Sequence, residues 1–161
     1  MFDIAFELVN LLKGKKLTIA TAESCTGGFV AKAITDIPGS SDVFPGGVVS
    51  YSNDIKESLL GVKDSTLRSY GAVSGECASE MAAGIRKVCS SDIGISTTGI
   101  AGPSGGTPLK PVGTVYVGIS IKDQMYTKNL CLSPELSRDE IRTETVQILL
   151  GYVIDKIKEI Y

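Results

Sequence analysis

Apolar residues at Ile4, Leu8, Leu11 and Leu12 share one face of a helix over Asp3 to Lys13, and Gly14 supplies its stop. Leu17 to Thr21 is a short apolar run and predicts a buried strand. The polar turn "TAESCTGGF" then opens a helix over Gly27 to Thr35, closed by Pro38-Gly39. Ser40 to Gly46 is a loop and Gly47 to Ser50 a second strand. Asn53 caps a helix over Asp54 to Leu60, stopped by Gly61, and Thr66 to Tyr70 forms a further short turn of helix. Ser74 caps an Ala- and Met-rich helix over Glu76 to Val88. Asp92 to Thr98 alternates as a strand should, and runs into a second glycine-rich loop, "TGIAGPSGGTPLKPVG". Thr114 to Lys122 and Met125 to Leu132 are strands of a hairpin joined at Asp123-Gln124. Ser137-Arg138-Asp139-Glu140 is a capping box opening a long last helix to about Ile160.

The order α-β-α-β-α-α-β-β-β-α has no internal repeat, linker or low-complexity tract. Strands interleaved with helices, plus one hairpin, predict an α/β fold: a three-layer α/β/α sandwich around a mixed sheet. In such sheets ligands bind beyond the C-terminal ends of the strands, and both glycine-rich turns leave a strand there.

Composition narrows the chemistry more than the fold. At 161 residues, 43% hydrophobic and 21% charged, the chain has the make-up of one globular domain. A net charge of −2 argues against a general nucleic-acid binder. No secretory leader or membrane-length apolar run is visible, so a cytoplasmic protein without a membrane partner is expected. The pattern is compatible with a homo-oligomer but does not specify one.

There is no histidine. Ser-His-Asp and Cys-His arrangements and His-ligated metals are therefore excluded, and Cys25, Cys77, Cys89 and Cys131 lack the spacing of a zinc site. No metal or cofactor is expected. Acid–base work falls to Lys, Tyr, Asp, Glu or Cys.

Phosphate-loop and dinucleotide signatures are absent. Gly102-Pro103-Ser104-Gly105-Gly106 has the letters of an esterase elbow, but that elbow requires a histidine base. The turn at "AESCTGG" is more informative. Ser24 falls between a strand end and a helix start, where Gly27 and Gly28 let backbone N–H groups turn inward. It can be read as a nucleophile with the N–H groups of Cys25 to Gly28 as an oxyanion hole, or Ser24 or Thr26 can be read as a plain helix cap. Cys25 can be a packed core residue or a thiol nucleophile. A serine nucleophile needs a base, and "SYSNDIKESLLG" offers Tyr51 and Lys56. Asn53 as cap would set Lys56 in the first helical turn, where the macrodipole lowers a lysine pKa by less than about one unit. Burial must supply the rest. The alternative is a solvated surface lysine.

Together "AESCTGG", "GGVVSYSNDIKESLLGV", "GAVS", "TGIAGPSGGTPLKPVGTVYVG" and "SRDEIR" resemble the C-terminal domain of the CinA family, in order from about Lys16 to Leu150. The resemblance implies one domain over residues 1–161, without the N-terminal domain similar to molybdopterin-handling proteins that longer members carry. In its free-standing form the domain is similar to a bacterial nicotinamide-nucleotide amidase. That implies deamidation of nicotinamide mononucleotide to nicotinic acid mononucleotide and ammonia, in pyridine nucleotide salvage. It also implies Ser24 as nucleophile, Lys56 as base and Tyr51 as their helper. Cys25, Thr26, Gly27, Gly28, Thr98, Gly99, Ala101 and Gly102 would line the nucleotide site with Arg138 and Arg142. The segment "PELSRDEIR" lacks the glycine that relatives commonly carry there. A non-catalytic nucleotide-binding or regulatory module is the alternative function.

Overall fold

The computed structural model describes residues 1–161. Its five-stranded sheet forms from β1 (Ile19–Glu23), β2 (Gly46–Val49), β3 (Ile93–Gly99), β4 (Val115–Ile121) and β5 (Gln124–Asn129), in the order β2-β1-β3-β4-β5. β1 runs parallel to both β2 and β3, whereas β4 is antiparallel to β3 and β5. The sheet is thus mixed, as the alternating pattern predicts.

Six helices cover it: α1 (Phe2–Lys15), α2 (Phe29–Thr35), α3 (Asn53–Leu60), α4 (Asp64–Tyr70), α5 (Gly75–Val88) and α6 (Arg138–Ile160). On one face Leu8 and Leu12 of α1, Val30 and Ile34 of α2, and Val146 to Ile157 of α6 bury against Ile19, Ile95, Val117 and Ile119. The other face carries a smaller core, in which Leu60, Cys77, Met81 and Ile85 pack on Ala20 and Ala22 of β1. Close approach of α5 depends on glycines in the sheet. A Cβ at Gly94 would strike the Ala82 carbonyl, and one at Gly118 would lie 2.5 Å from the Ala78 carbonyl oxygen.

Several boundaries differ from expectation, each for a local reason. Helix α1 continues through Gly14 and stops at Lys16, whose φ of 56° takes the left-handed capping conformation. Strand β1 lies two residues later than expected, because Ala22 and Glu23 still pair with β2 and β3. Helix α2 starts at Phe29, since Gly27 and Gly28 have φ of 58° and 99° and are not helical. The cap of α3 is Ser52, whose Oγ accepts from Ile55 N–H at 3.3 Å, in place of Asn53. The β4–β5 turn is Lys122-Asp123, and β5 ends at Asn129 before Cys131 adopts a φ of 47°. The capping box of α6 forms as the sequence predicts. Glu140 N–H donates to Ser137 Oγ, and Ser137 N–H donates to the Glu140 carboxylate. No helix is long and apolar enough to cross a membrane.

Candidate active site

Parallel pairing of β1 with both neighbours brings three chain segments to one rim: the turn after Glu23, the turn before α3, and the loop after β3. They enclose a cavity of about 230 Å³. Ser24, Cys25, Tyr51, Lys56, Thr98, Gly99, Ala101 and Arg138 line it, so eight residues named from sequence meet at one place. Asn53, Ala72 and Val73 complete the wall and were not foreseen. A larger groove of about 370 Å³ lies at the opposite, N-terminal end of β1, beside a Lys13–Asp42 ion pair at 3.3 Å. No serine or cysteine lines it.

Lys56 is 1% exposed. Its Nζ donates to the Ser50 carbonyl oxygen at 2.8 Å and lies 3.2 Å from Ser24 Oγ. With Ser52 as cap, Lys56 is the fourth residue of α3, at the end of its first turn, so the macrodipole adds little. Burial, above all, pushes its pKa below the ordinary lysine value, opposed only in part by the Cys77 and Cys25 thiols. No carboxylate pairs with it.

Tyr51 does not contact either member of that pair by hydrogen bonding. It is 62% exposed at the rim, and its hydroxyl accepts from Arg138 at 2.9 Å. The expected helper is thus a rim residue, since the chain turns outward between Ser50 and α3. Arg138 also donates to the Gly102 carbonyl oxygen at 2.9 Å, joining the glycine-rich loop to Tyr51. Arg142 is not at the cavity. One turn further along α6, it donates to the Thr26 carbonyl oxygen at 2.9 Å and lies 5.8 Å from the Phe29 ring centroid. Its Nε is buried without a partner.

The Ser24 turn itself is held from beneath by a residue that the sequence pattern does not mark as part of the site. Glu23 is 1% exposed, and its carboxylate accepts from Thr26 Oγ1 at 2.5 Å and from the N–H groups of Gly28, Val30 and Ala31 at 3.1, 2.9 and 2.8 Å. The backbone donors are the N-cap Gly28 and the first turn of α2, and neither Ser24 nor Thr26 caps that helix through its side chain. The available signal was an acid closing an otherwise apolar strand just before a helix start. Thr26 Oγ1 continues the network to Thr97 Oγ1 at 2.7 Å, leaving the Thr26 side chain fully buried. Of the four backbone donors expected at an oxyanion hole, Gly27 N–H goes to the Ser24 carbonyl and Gly28 N–H to Glu23. The N–H groups of Cys25 and Thr26 have no acceptor elsewhere in the chain.

Cys25 is buried with Ala101, Val115 and Ile141, and burial above all pushes its thiol up to about 12. A thiolate nucleophile is disfavoured there. Thr98 Oγ1 donates to the Ala72 carbonyl oxygen at 2.7 Å, and Gly99 fits where a Cβ would lie 2.8 Å from Thr114 O. No three His, Cys, Asp or Glu side chains gather to hold a metal ion.

Comparison with known proteins agrees with this architecture. A Thermoanaerobacter sp. protein named as competence-damage inducible is 56% identical over 156 residues, covering 92% of this chain and 37% of that protein. A CinA-like protein of Thermotoga neapolitana is 48% identical over 152 residues, covering 94% of this chain and 36% of that protein. The chain thus spans little more than a third of the length of these relatives. A solved structure of a competence damage-inducible protein from Klebsiella pneumoniae superposes with a TM-score of 0.95 at 31% identity, covering 99% of this chain and 98% of that one. One from Agrobacterium tumefaciens gives 0.93 at 37% identity, covering 96% and 93%. Residues 2–157 match the CinA C-terminal domain, and the chain belongs to the CinA family.

Proposed function

We propose that the chain is a metal-free serine–lysine amidohydrolase that deamidates nicotinamide mononucleotide, releasing nicotinic acid mononucleotide and ammonia. The observation that carries this reading is the buried Lys56 amine, 3.2 Å from Ser24 Oγ, with burial favouring its neutral form. The nucleotide itself comes from the family resemblance.

In the reaction proposed, neutral Lys56 takes the proton of Ser24 as Oγ bonds to the carboxamide carbon. The Ser50 carbonyl holds one N–H of the amine, which orients its lone pair toward the serine. The N–H of Cys25, which lines the cavity, stabilises the oxyanion. Lys56, now an ammonium, passes its proton to the departing nitrogen, and ammonia leaves an ester on Ser24. Water, deprotonated by Lys56, cleaves that ester and restores both residues. At about 230 Å³ the cavity is smaller than the usual ~300–1,000 Å³ ligand pocket. It would take the carboxamide ring and leave the phosphate at the rim, where Arg138 is exposed.

The test is ammonia release from nicotinamide mononucleotide by purified protein in EDTA. Stoichiometric release of nicotinic acid mononucleotide is expected. Tight nucleotide binding with no ammonia would instead identify a non-catalytic binding module.

A further inference from the structure

The motif "GGTPLKPVG" contains a lysine to which the reaction assigns no role. Lys110 is half-buried and forms no ion pair. Its Nζ donates to the Tyr70 carbonyl oxygen at 2.7 Å and to the Val73 carbonyl oxygen at 2.6 Å. Between them, Ser74 Oγ donates to Gly71 O at 2.8 Å and Thr98 Oγ1 to Ala72 O at 2.7 Å. Four consecutive carbonyls, Tyr70 to Val73, therefore rest on side-chain donors. Tyr70 ends α4, Gly71 to Ser74 join it to α5 outside any helix or strand, and Ala72 and Val73 form part of the cavity wall.

Lys110 holds both ends of that segment and is itself fixed in the glycine-rich loop. Thr107 N–H donates to Lys110 O at 2.8 Å, and Lys110 N–H returns to Thr107 Oγ1 at 3.0 Å. The loop base is closed by Ile100 N–H to Thr114 O and Gly113 N–H to Ile100 O, each at 2.9 Å. Arg138 grips it at Gly102. Residues 103 to 109 between these anchors are all exposed. Lys110 is thus a cross-tie between the two walls, added to the Thr98–Ala72 bond.

We propose that Lys110 is a positioning residue for substrate: it locks the Tyr70–Ser74 turn to the glycine-rich loop so that the cavity presents one preformed wall to the nucleotide. This deepens the amidase reading and rests on it for the kinetic arm of the test. Neither Ser24 nor Lys56 hydrogen-bonds Lys110, so its loss should loosen substrate seating and leave the proton transfer intact.

Lys110→Met keeps the stem and removes the donors. Losing two ordinary hydrogen bonds that order the wall should raise KM for nicotinamide mononucleotide about fivefold to tenfold, with kcat changed much less. The acid limb of kcat against pH should not move, and Lys110→Arg should recover most of the loss. Amide hydrogen exchange, which needs no ligand, should rise at Thr107 and Gly71 in Lys110→Met. An unchanged KM alongside a lower melting temperature would overturn the proposal, reducing Lys110 to a structural brace. If the wild type releases no ammonia, the amidase reading has failed. The exchange arm still decides, since unaltered protection in both segments would show that Lys110 does not tie them.

Discussion

Glu23→Gln is the substitution with the most directly calculable outcome. The carboxylate oxygens carry unequal loads: Oε2 accepts from Thr26 Oγ1, Gly28 N and Val30 N, whereas Oε1 accepts only from Ala31 N. Glutamine has the same shape but one acceptor. It will place its oxygen where Oε2 was and its amide nitrogen where Oε1 was, so that Ala31 N–H faces another donor. A buried donor left without its partner costs about 1–3 kcal/mol, and the remaining bonds lose the advantage of a charged acceptor. A net loss of about 2–3 kcal/mol follows. For a chain of this size each kcal/mol lowers Tm by about 2–4 °C, so a fall of about 4–12 °C is expected. Urea denaturation at pH 7 with an unchanged m value measures the first figure, and calorimetry the second. Glu23→Ala strands all four donors and should cost more. If Glu23→Gln costs less than about 0.5 kcal/mol, the range of an ordinary surface change, the carboxylate does not anchor the turn.

Ser24→Ala should abolish ammonia release and leave nucleotide binding by calorimetry within a few-fold, whereas Cys25→Ala keeps most of the rate; the reverse pattern would move the nucleophile to the thiol. Because folding lowers the Lys56 pKa, the unfolded chain binds the extra proton and wild-type stability rises with pH from the lowered pKa of the folded amine up to the free-lysine value of ~10.4. Lys56→Met lacks this dependence, so the stability difference between the two should shift toward wild type between pH 7 and pH 10; a pH-independent difference would mean the amine is not perturbed. Arg138→Met should raise KM for the nucleotide, since it removes the exposed cation at the rim, while Arg142→Met should lower Tm with a smaller effect on KM. Equal KM effects would return Arg142 to the substrate site.

The mixed sheet, the helices on both faces and the meeting of the two glycine-rich turns follow from periodicity and caps, because each is decided by burial on one face of an element. The misses have a common cause. Gly14 lies inside α1, and the left-handed stop falls two residues later at Lys16 because an exposed helix end tolerates a glycine at a cost of about 1 kcal/mol. Ser24 and Lys56 stand out in the sequence as a hydroxyl at a strand-to-helix turn and a lysine in a first helical turn, Arg138 through the family resemblance, and all three line the cavity. Tyr51 and Arg142 were legible as neighbours of the site but not in their partners, because the direction of a side chain beyond a strand end or along a helix is set by tertiary packing. Glu23 was invisible as a cap because it lies five to eight residues ahead of the N–H groups it serves, outside the local spacing of a capping box.

The two buried titratable side chains next to Ser24 explain each other's placement. Glu23 closes β1 facing the first turn of α2, where four donors surround it and no cation approaches. Lys56 reaches the same rim from α3, where its partners are a hydroxyl and a carbonyl and no carboxylate approaches. Were these two residues paired, the ion pair would hold the proton on the amine and Lys56 could not act as a base. Separating them requires that the carboxylate be satisfied entirely by backbone and threonine donors, which is what the residues after Ser24 supply. Thr26 gives its hydroxyl, and Gly27 and Gly28 take the positive φ values that bring the start of α2 over the carboxylate. The density of "AESCTGG" thus has a physical reason: one turn presents Ser24 to the cavity and keeps a buried carboxylate away from the lysine that the proposed mechanism needs in its neutral form.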